Sequence, residues 1–428
     1  MWNLTSGLLD PASFRNALLG LPIRYAEEPP HHGAHFYVHL TAICDVGCSH
    51  CMYSSNFLKP TGISAHLDAT DIHRTLRYIA DSRPAKVTIT GGGEPFLELR
   101  NMLYLIRESR CEYLELITSA NWARSKESAT RILAQVRDAV DKNHEKPRII
   151  IRSSIDVFHL SAHNPVPLEA YLNLVRAWLD HRNRIDLGFR GLLLEGDESV
   201  QQLARSLKAD LCTVDSWNQY MLLPNGLKLP VTYNVMRFIG NGKQFRADLS
   251  GRTVSFATYF SSFESAPSKL LLGRVVNDAI NAKYYPFDGV SITLDYDGTL
   301  YIFTATAPDR RCSIRTHDFE QSLRWFYADP ITRTLLTEGP YWLCDVLRPV
   351  VPKLVETALE TNDMCSLVET LLTDPRIRAF ATVVALKFLL SSCKAHLLEG
   401  HSFFEQLEDA TLHDLQQEAV KALECMKP

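Results

Sequence analysis

From residue 35 to about 240, short β-rich runs alternate with longer stretches of helical periodicity, and this alternation constrains the fold more than any other feature of the chain. The β runs cover 35–40, 86–90, 113–118, 148–153, 185–190 and 230–238. After Ser125, a candidate N-cap, Ala129, Ile132, Leu133, Val136 and Val140 share one helical face. Leu168, Tyr171, Leu172, Val175 and Leu179 repeat the pattern. Such alternation builds βαβ units on a parallel sheet. Six units predict an α/β fold, a partial (β/α)6 barrel of TIM type, with chemistry at the C-terminal ends of its strands.

The flanks read differently. Residues 1–34, rich in proline, form a lead-in, 241–344 a small α+β cap, and 345–428 a helical C-terminal region. Within the cap, 291–303 holds two β runs around Asp297-Gly298, a strong hairpin signal. The 45 basic and 49 acidic residues leave a net charge of −4, which argues against a broad nucleic-acid or membrane-surface footprint. The start lacks the basic and apolar character of a secretory signal. The most apolar late stretch, 379–390, contains Lys387 and falls short of the roughly 20 residues that span a bilayer. A cytoplasmic protein is expected, in which thiols stay reduced and clustered cysteines bind metal more often than they pair.

Three of the ten cysteines, Cys44, Cys48 and Cys51, lie within eight residues directly after the first β run. Thiolates at these spacings converge on one metal centre only from a loop, and Gly47 suits a tight turn there. A [4Fe–4S] cube held by three cysteines keeps one iron open for substrate or cofactor. The same spacing also suits a structural zinc site with His50, His39 or His35 as fourth ligand. The second run ends in Thr90-Gly91-Gly92-Gly93-Glu94-Pro95. Glycines at such a tip admit a ligand to the backbone, and Glu94 offers a carboxylate for an ammonium.

The paired motifs resemble those of the radical S-adenosylmethionine (SAM) enzymes. CxxxCxxC after the first strand is matched by Cys44, Cys48 and Cys51, and the GGE-type motif ending the second by Gly92, Gly93 and Glu94. The resemblance covers 35–240. It implies one [4Fe–4S] cluster with SAM on its open iron, cleaved after one-electron reduction to a 5′-deoxyadenosyl radical that takes hydrogen from a substrate. An electron donor such as flavodoxin or ferredoxin would supply the electron. The substrate would be a peptide or amino-acid derivative, or else a sugar, nucleoside or antibiotic precursor; a zinc-stabilised binding protein is the alternative from another class.

The same resemblance places His50, with Tyr53 close by, near adenine, and Gly91 with the other glycines against SAM. It makes Ser154, Asp156 and Arg190 ribose or carboxylate partners. Asn121, where relatives often have Thr-Asn-Gly, and His159 and His163, as proton donors, follow with weaker claims. The hairpin resembles the start of a SPASM or twitch extension, but Phe303 stands where a cluster cysteine is usual, so no auxiliary cluster is expected. Cys312, just beyond, is the candidate hydrogen donor; Cys212, like it, reads first as a packing residue.

Overall fold

A computed structural model describes residues 33–55, 65–255, 258, 290–302 and 312–385, apart from 328, 339, 375, 379 and 383. The lead-in through residue 32, Phe303 and the chain beyond 385 lie outside the described residues.

Ten strands form one open sheet, in the order β10-β9-β1-β2-β3-β4-β5-β8-β7-β6. They are β1 (Gly33–His39), β2 (Lys86–Thr90), β3 (Tyr113–Thr118), β4 (Arg148–Ser154), β5 (Ile185–Leu192), β6 (Asp210–Thr213), β7 (Asn218–Leu222), β8 (Lys228–Asn234), β9 (Val290–Leu294) and β10 (Leu300–Tyr301). β1 to β5 and then β8 run parallel side by side, giving the six expected barrel strands. Between them lie α1 (Ala69–Ser82), α2 (Leu99–Glu108), α3 (Lys126–Lys142), α4 (Val157–Leu160), α5 (Leu168–Leu179) and α6 (Ser199–Ser206).

Alternation along each strand separates two faces. Val38, Val87, Ile89, Leu114, Leu116, Ile149, Ile151, Leu187, Phe189 and Val231 are buried in the core. Ile72 and Ile79 of α1, Leu133 and Val136 of α3, and Leu174 and Val175 of α5 belong to the same core. Each such aliphatic side chain contributes about 1.5–3 kcal/mol on leaving water. Ser125 caps α3, accepting from the Ser128 N–H, and Asp68 caps α1 by accepting from Asp71. The opposite, concave face carries His35, Tyr37, Thr88, Glu115, Arg152, Ser154 and Arg190, and is therefore polar.

Two edges differ from the six-unit expectation. β6 and β7 form an antiparallel meander with β8, turning at Asn225-Gly226, where Gly226 has φ +81°. β9 and β10 are antiparallel as the Asp297-Gly298 signal requires, with Gly298 at φ +87°. β9 also pairs in parallel with β1, so the hairpin continues the barrel's own sheet. After it come α7 (Phe319–Tyr327), α8 (Pro330–Glu338), α9 (Pro340–Leu347), α10 (Pro352–Leu359) and α11 (Met364–Leu372). Among the described residues, no helix is long and apolar enough to cross a membrane.

Candidate functional site

The three cysteines lie on the loop that leaves the C-terminal end of β1. Thr41 starts the loop, its hydroxyl donating to Ala65 O at 2.9 Å and accepting from Ile43 N at 3.0 Å. Gly47 turns it with φ +70°, a conformation other residues rarely adopt. Cys48 is buried, and Cys44 and Cys51 are half-buried. Burial pushes the Cys44 thiol up to about 12, although the N–H groups of Val46 and Gly47 point at its sulfur. A thiol so buried ionises readily only beside a cation, which is the condition a metal centre supplies.

The glycine-rich loop docks directly onto this one. Gly93 N donates to Thr41 O at 2.7 Å and Glu94 N to Ile43 O at 2.8 Å. A Cβ at Gly93 would lie 2.0 Å from Ile43 O, so only glycine permits that approach. At Gly91 a Cβ would meet Gly93 O at 1.8 Å, because the loop curls back on itself. Gly92 differs, since a Cβ there would find only Tyr53 and Ser55 at ordinary contact, 3.7 Å. The Glu94 carboxylate is taken up internally, by Thr118 Oγ1 at 2.8 Å, Ser119 N at 2.9 Å, Ser119 Oγ at 2.7 Å and Phe96 N at 3.2 Å. Burial raises its carboxyl above the ordinary value despite those donors. It clasps the ends of β2 and β3 rather than presenting a free charge.

His50 stacks on Phe158 at 4.5 Å and 18°, with its Nε2 3.7 Å from Asp156 Oδ2. Its Nδ1 is buried and meets no hydrogen-bond partner. Burial pushes the His50 pKa down to about 4. Asp156 caps α4, accepting from Phe158 N and His159 N at 3.0 Å each, and its Oδ2 lies 2.8 Å from His159 Nδ1. Burial opposes ionisation of both groups, yet the pairing holds Asp156 well below the carboxylate range and His159 well above the usual histidine value. The Cys48 thiol nearby pushes the His159 value the same way. Asp156 thus braces the mouth, where the resemblance made it a ribose or carboxylate partner. Ser154 and Arg190 are register partners on neighbouring strands of the concave face.

A second bracket comes from the segment after β8, which the sequence reading gave no role at the site. Asn241 N donates to Cys51 O at 2.9 Å, and Gln244 Nε2 to Ser49 O at 2.9 Å. A Cβ at Gly240 would sit 2.3 Å from Met52 O, and one at Gly242 3.2 Å from His50 O. The Gly-Asn-Gly sequence beyond a barrel strand was the available signal. The Asn121 amide donates to Asp45 Oδ2 at 2.6 Å, so it holds the cysteine loop from the other side. His163 N reaches Gly47 O at 3.4 Å.

Cys312 lies elsewhere. It is fully buried in the apolar core, with Tyr78 of α1 among its neighbours, and Leu300 N donates to its carbonyl. That places it at the helix-covered side of the sheet and away from the concave mouth, so the structure argues for packing at this thiol. Cys212 is on β6 at the far edge. Cys365, on α11, is the thiol beside Tyr53, and burial pushes it far up.

The zinc alternative asks for a histidine as fourth ligand. His35 bonds Thr88 Oγ1 at 2.6 Å and stacks on Tyr37, while His39 reaches Asp295 Oδ1 at 3.3 Å. His50 faces Asp156 and Phe158. Each of the three has a contact other than a thiol, although the His50 Nδ1 stays unpartnered. Three thiols, an adjoining glycine loop with one open Cα and an orphaned buried imidazole nitrogen fit a cluster with an attached organic ligand.

No family model and no curated protein matches the chain. Among solved structures, the chain is similar to native anSMEcpe with bound AdoMet, 12% identical over 68% of this chain and 80% of that one, with a TM-score of 0.40. It is similar to Streptococcus suis SuiB bound to precursor peptide SuiA, 12% identical over 89% and 85%, with a TM-score of 0.42. A histidine-tagged form of anSMEcpe with bound AdoMet is 9% identical over 90% and 98%, with a TM-score of 0.42.

Proposed function

We propose that this chain is a radical SAM enzyme acting on a peptide or amino-acid-derived substrate. One observation carries the reading: the cysteine loop and the glycine loop, widely separated in sequence, are joined by two backbone hydrogen bonds at the strand tips, Gly93 to Thr41 and Glu94 to Ile43. Cys44, Cys48 and Cys51 would hold a [4Fe–4S] cluster, leaving one iron for SAM. When bound, the pair supplies reductive cleavage of SAM and a carbon radical that abstracts hydrogen.

The chain's own residues bind, orient and exclude water. The open side of Gly92 admits the methionine part of SAM to the backbone. Arg190, beside Ser154, offers its carboxylate a charge-assisted fork. His50, fixed flat on Phe158, presents its Nδ1 toward the adenine. Over the mouth, Asn362 ties the C-terminal helices to the segment after β8 by donating to Met236 O at 2.7 Å. Tyr53, exposed and edge-on to His39, and Asp295, paired with His39, would face the substrate on that side. The hairpin's resemblance to a SPASM start supports the peptide class, and an electron donor such as flavodoxin or ferredoxin would deliver the electron.

Protein purified without oxygen should be brown, with iron and sulfide near four per chain. Changing Cys44, Cys48 and Cys51 together to Ala should abolish 5′-deoxyadenosine formation. Colourless protein with stoichiometric zinc, or nucleoside formed at the unaltered rate by the triple variant, would refute the assignment.

A further inference from the structure

The cysteine loop is held by a device that neither motif contains. Arg124 is exposed, in the turn after β3, yet its guanidinium reaches three acceptors. Its Nε donates to Asn121 Oδ1 at 2.7 Å, and its Nη2 to Asn164 Oδ1 at 2.8 Å and Pro165 O at 2.6 Å. Each asparagine thereby has its oxygen turned to Arg124 and its amide nitrogen turned to the cysteine loop. Asn121 Nδ2 donates to Asp45 Oδ2 at 2.6 Å, and Asn164 Nδ2 to Asp45 O at 2.7 Å. Asn164 N adds a bond to Val46 O at 2.9 Å.

The consequence follows from peptide planarity. In a trans peptide the C=O and N–H point in opposite directions across the plane. Asn164 holds the carbonyls of Asp45 and Val46, which share their planes with the N–H groups of Val46 and Gly47. Those are the two N–H groups near the Cys44 sulfur that favour its ionisation. Carbonyls facing outward therefore oblige amides to face the sulfur. Without the Asn164 amide, the Asp45 carbonyl loses its donor and its peptide is freer to turn an oxygen toward the thiolate.

We infer that Arg124 and the Asn164 side chain are positioning residues that set the Asp45–Val46 peptide plane, so that the Val46 N–H faces the Cys44 sulfur when the loop holds metal, while the Asn164 backbone N–H, kept in both variants, sets the next plane. This rests on the reading of the three cysteines as cluster ligands. Hydrogen bonds to cluster sulfurs stabilise the more negative, reduced state and raise the reduction potential. Partners of this outer kind typically change metal affinity by 10–100-fold.

The test uses the full chain with Arg124→Met and Asn164→Ala. Apo protein is titrated with Co²⁺, read by thiolate-to-metal charge-transfer absorption, and protein reconstituted with iron and sulfide is poised electrochemically and read by electron paramagnetic resonance. Melting of Arg124→Met should stay near the parent, because the side chain is exposed. Its Co²⁺ affinity should fall at least tenfold, and the midpoint should become more negative by about 59 mV if the reduction equilibrium shifts tenfold. Should Arg124→Met fail to fold, Asn164→Ala carries the same expectation, because Arg124 keeps its bonds to Asn121 and Pro165. Parent-like affinity and midpoint in both variants would overturn the inference. A parent protein without the charge-transfer band and without bound iron would instead overturn the reading of the cysteines.

Discussion

At the base of the concave face, Lys86 Nζ lies 2.7 Å from Glu115 Oε2, Arg152 pairs with Oε1 of the same carboxylate, and Thr88 donates to it at 2.9 Å. These side chains close on one another, and Lys86 is 0% exposed. At the mouth of the same face, Glu94 and Asp156 are also buried, but backbone amides and loop hydroxyls supply much of their bonding. A carboxylate at the base thus pairs strand with strand, whereas one at the mouth fixes a loop. On the proposed reading, the thiols, the unpartnered His50 Nδ1 and the open side of Gly92 form the ligand face.

Glu115→Ala should have the largest effect on stability. It removes the anion between two buried cations, and breaking a buried pair in this way costs about 3–5 kcal/mol. Urea denaturation should show that loss. A loss below about 1 kcal/mol would mean the base is wet and no different from the mouth.

Two neighbouring glycines sharpen the comparison at the mouth. Gly93→Ala forces backbone apart at Ile43 O and should cost roughly 2–3 kcal/mol, with poor cluster loading. Gly92→Ala meets only ordinary contacts, and its stability should change by about 0.5 kcal/mol or less. Calorimetry should nonetheless show weaker SAM binding, because the methyl occupies the side from which a ligand approaches. Equal stability losses in the two variants would remove the distinction between a packed and an open glycine.

The legibility of the sequence follows the same division. β2 and β3 end where the β runs end, at Lys86–Thr90 and Tyr113–Thr118, because a strand buried by helices needs an unbroken apolar face. Ser125 marked its helix because capping is local. The meander was missed although Asn225-Gly226 is a hairpin signal, since β7 is polar and half-exposed. The pairing of β9 with β1 joins residues more than 250 apart, and no local pattern reports it. Within the site, Glu94 was read as a carboxylate for an ammonium and Asp156 as a ribose or carboxylate partner; in the structure nearby amides and hydroxyls bond those oxygens. The grip of Asn164 and Asn241 on the cysteine loop spans 119 and 190 residues, so spacing could not disclose it either.

Titration separates base from mouth at high pH. Burial, opposed by Glu115, lowers the Lys86 pKa to about 8, against about 10.4 for an unfolded lysine. Between those values the unfolded chain binds the extra proton, so stability should rise with pH through that window, by on the order of 1–3 kcal/mol. Lys86→Met should flatten that slope in urea titrations at successive pH values. A slope that survives the substitution would have to come from some other group.

The smallest effect concerns whether the hairpin edge behaves as part of the sheet. Arg315, just after the hairpin, donates to Asp71 of α1 through Nε at 3.0 Å and Nη2 at 2.7 Å. Those bonds, with burial working against them, hold the Asp71 carboxyl below its usual value. Because the folded value is depressed, the contribution is complete above about pH 3.9, the unfolded value, and disappears as pH falls through the folded one. Arg315 is partly exposed, so Arg315→Ala should cost only about 1 kcal/mol at neutral pH. Its acid limb should also be shallower than the parent's. If the edge is one body with the barrel, that loss lowers the single unfolding transition without splitting it, because β9 stays paired to β1. Two transitions in Arg315→Ala would show instead that the hairpin and its helices melt as a separate unit, with the Arg315 fork as a principal tie.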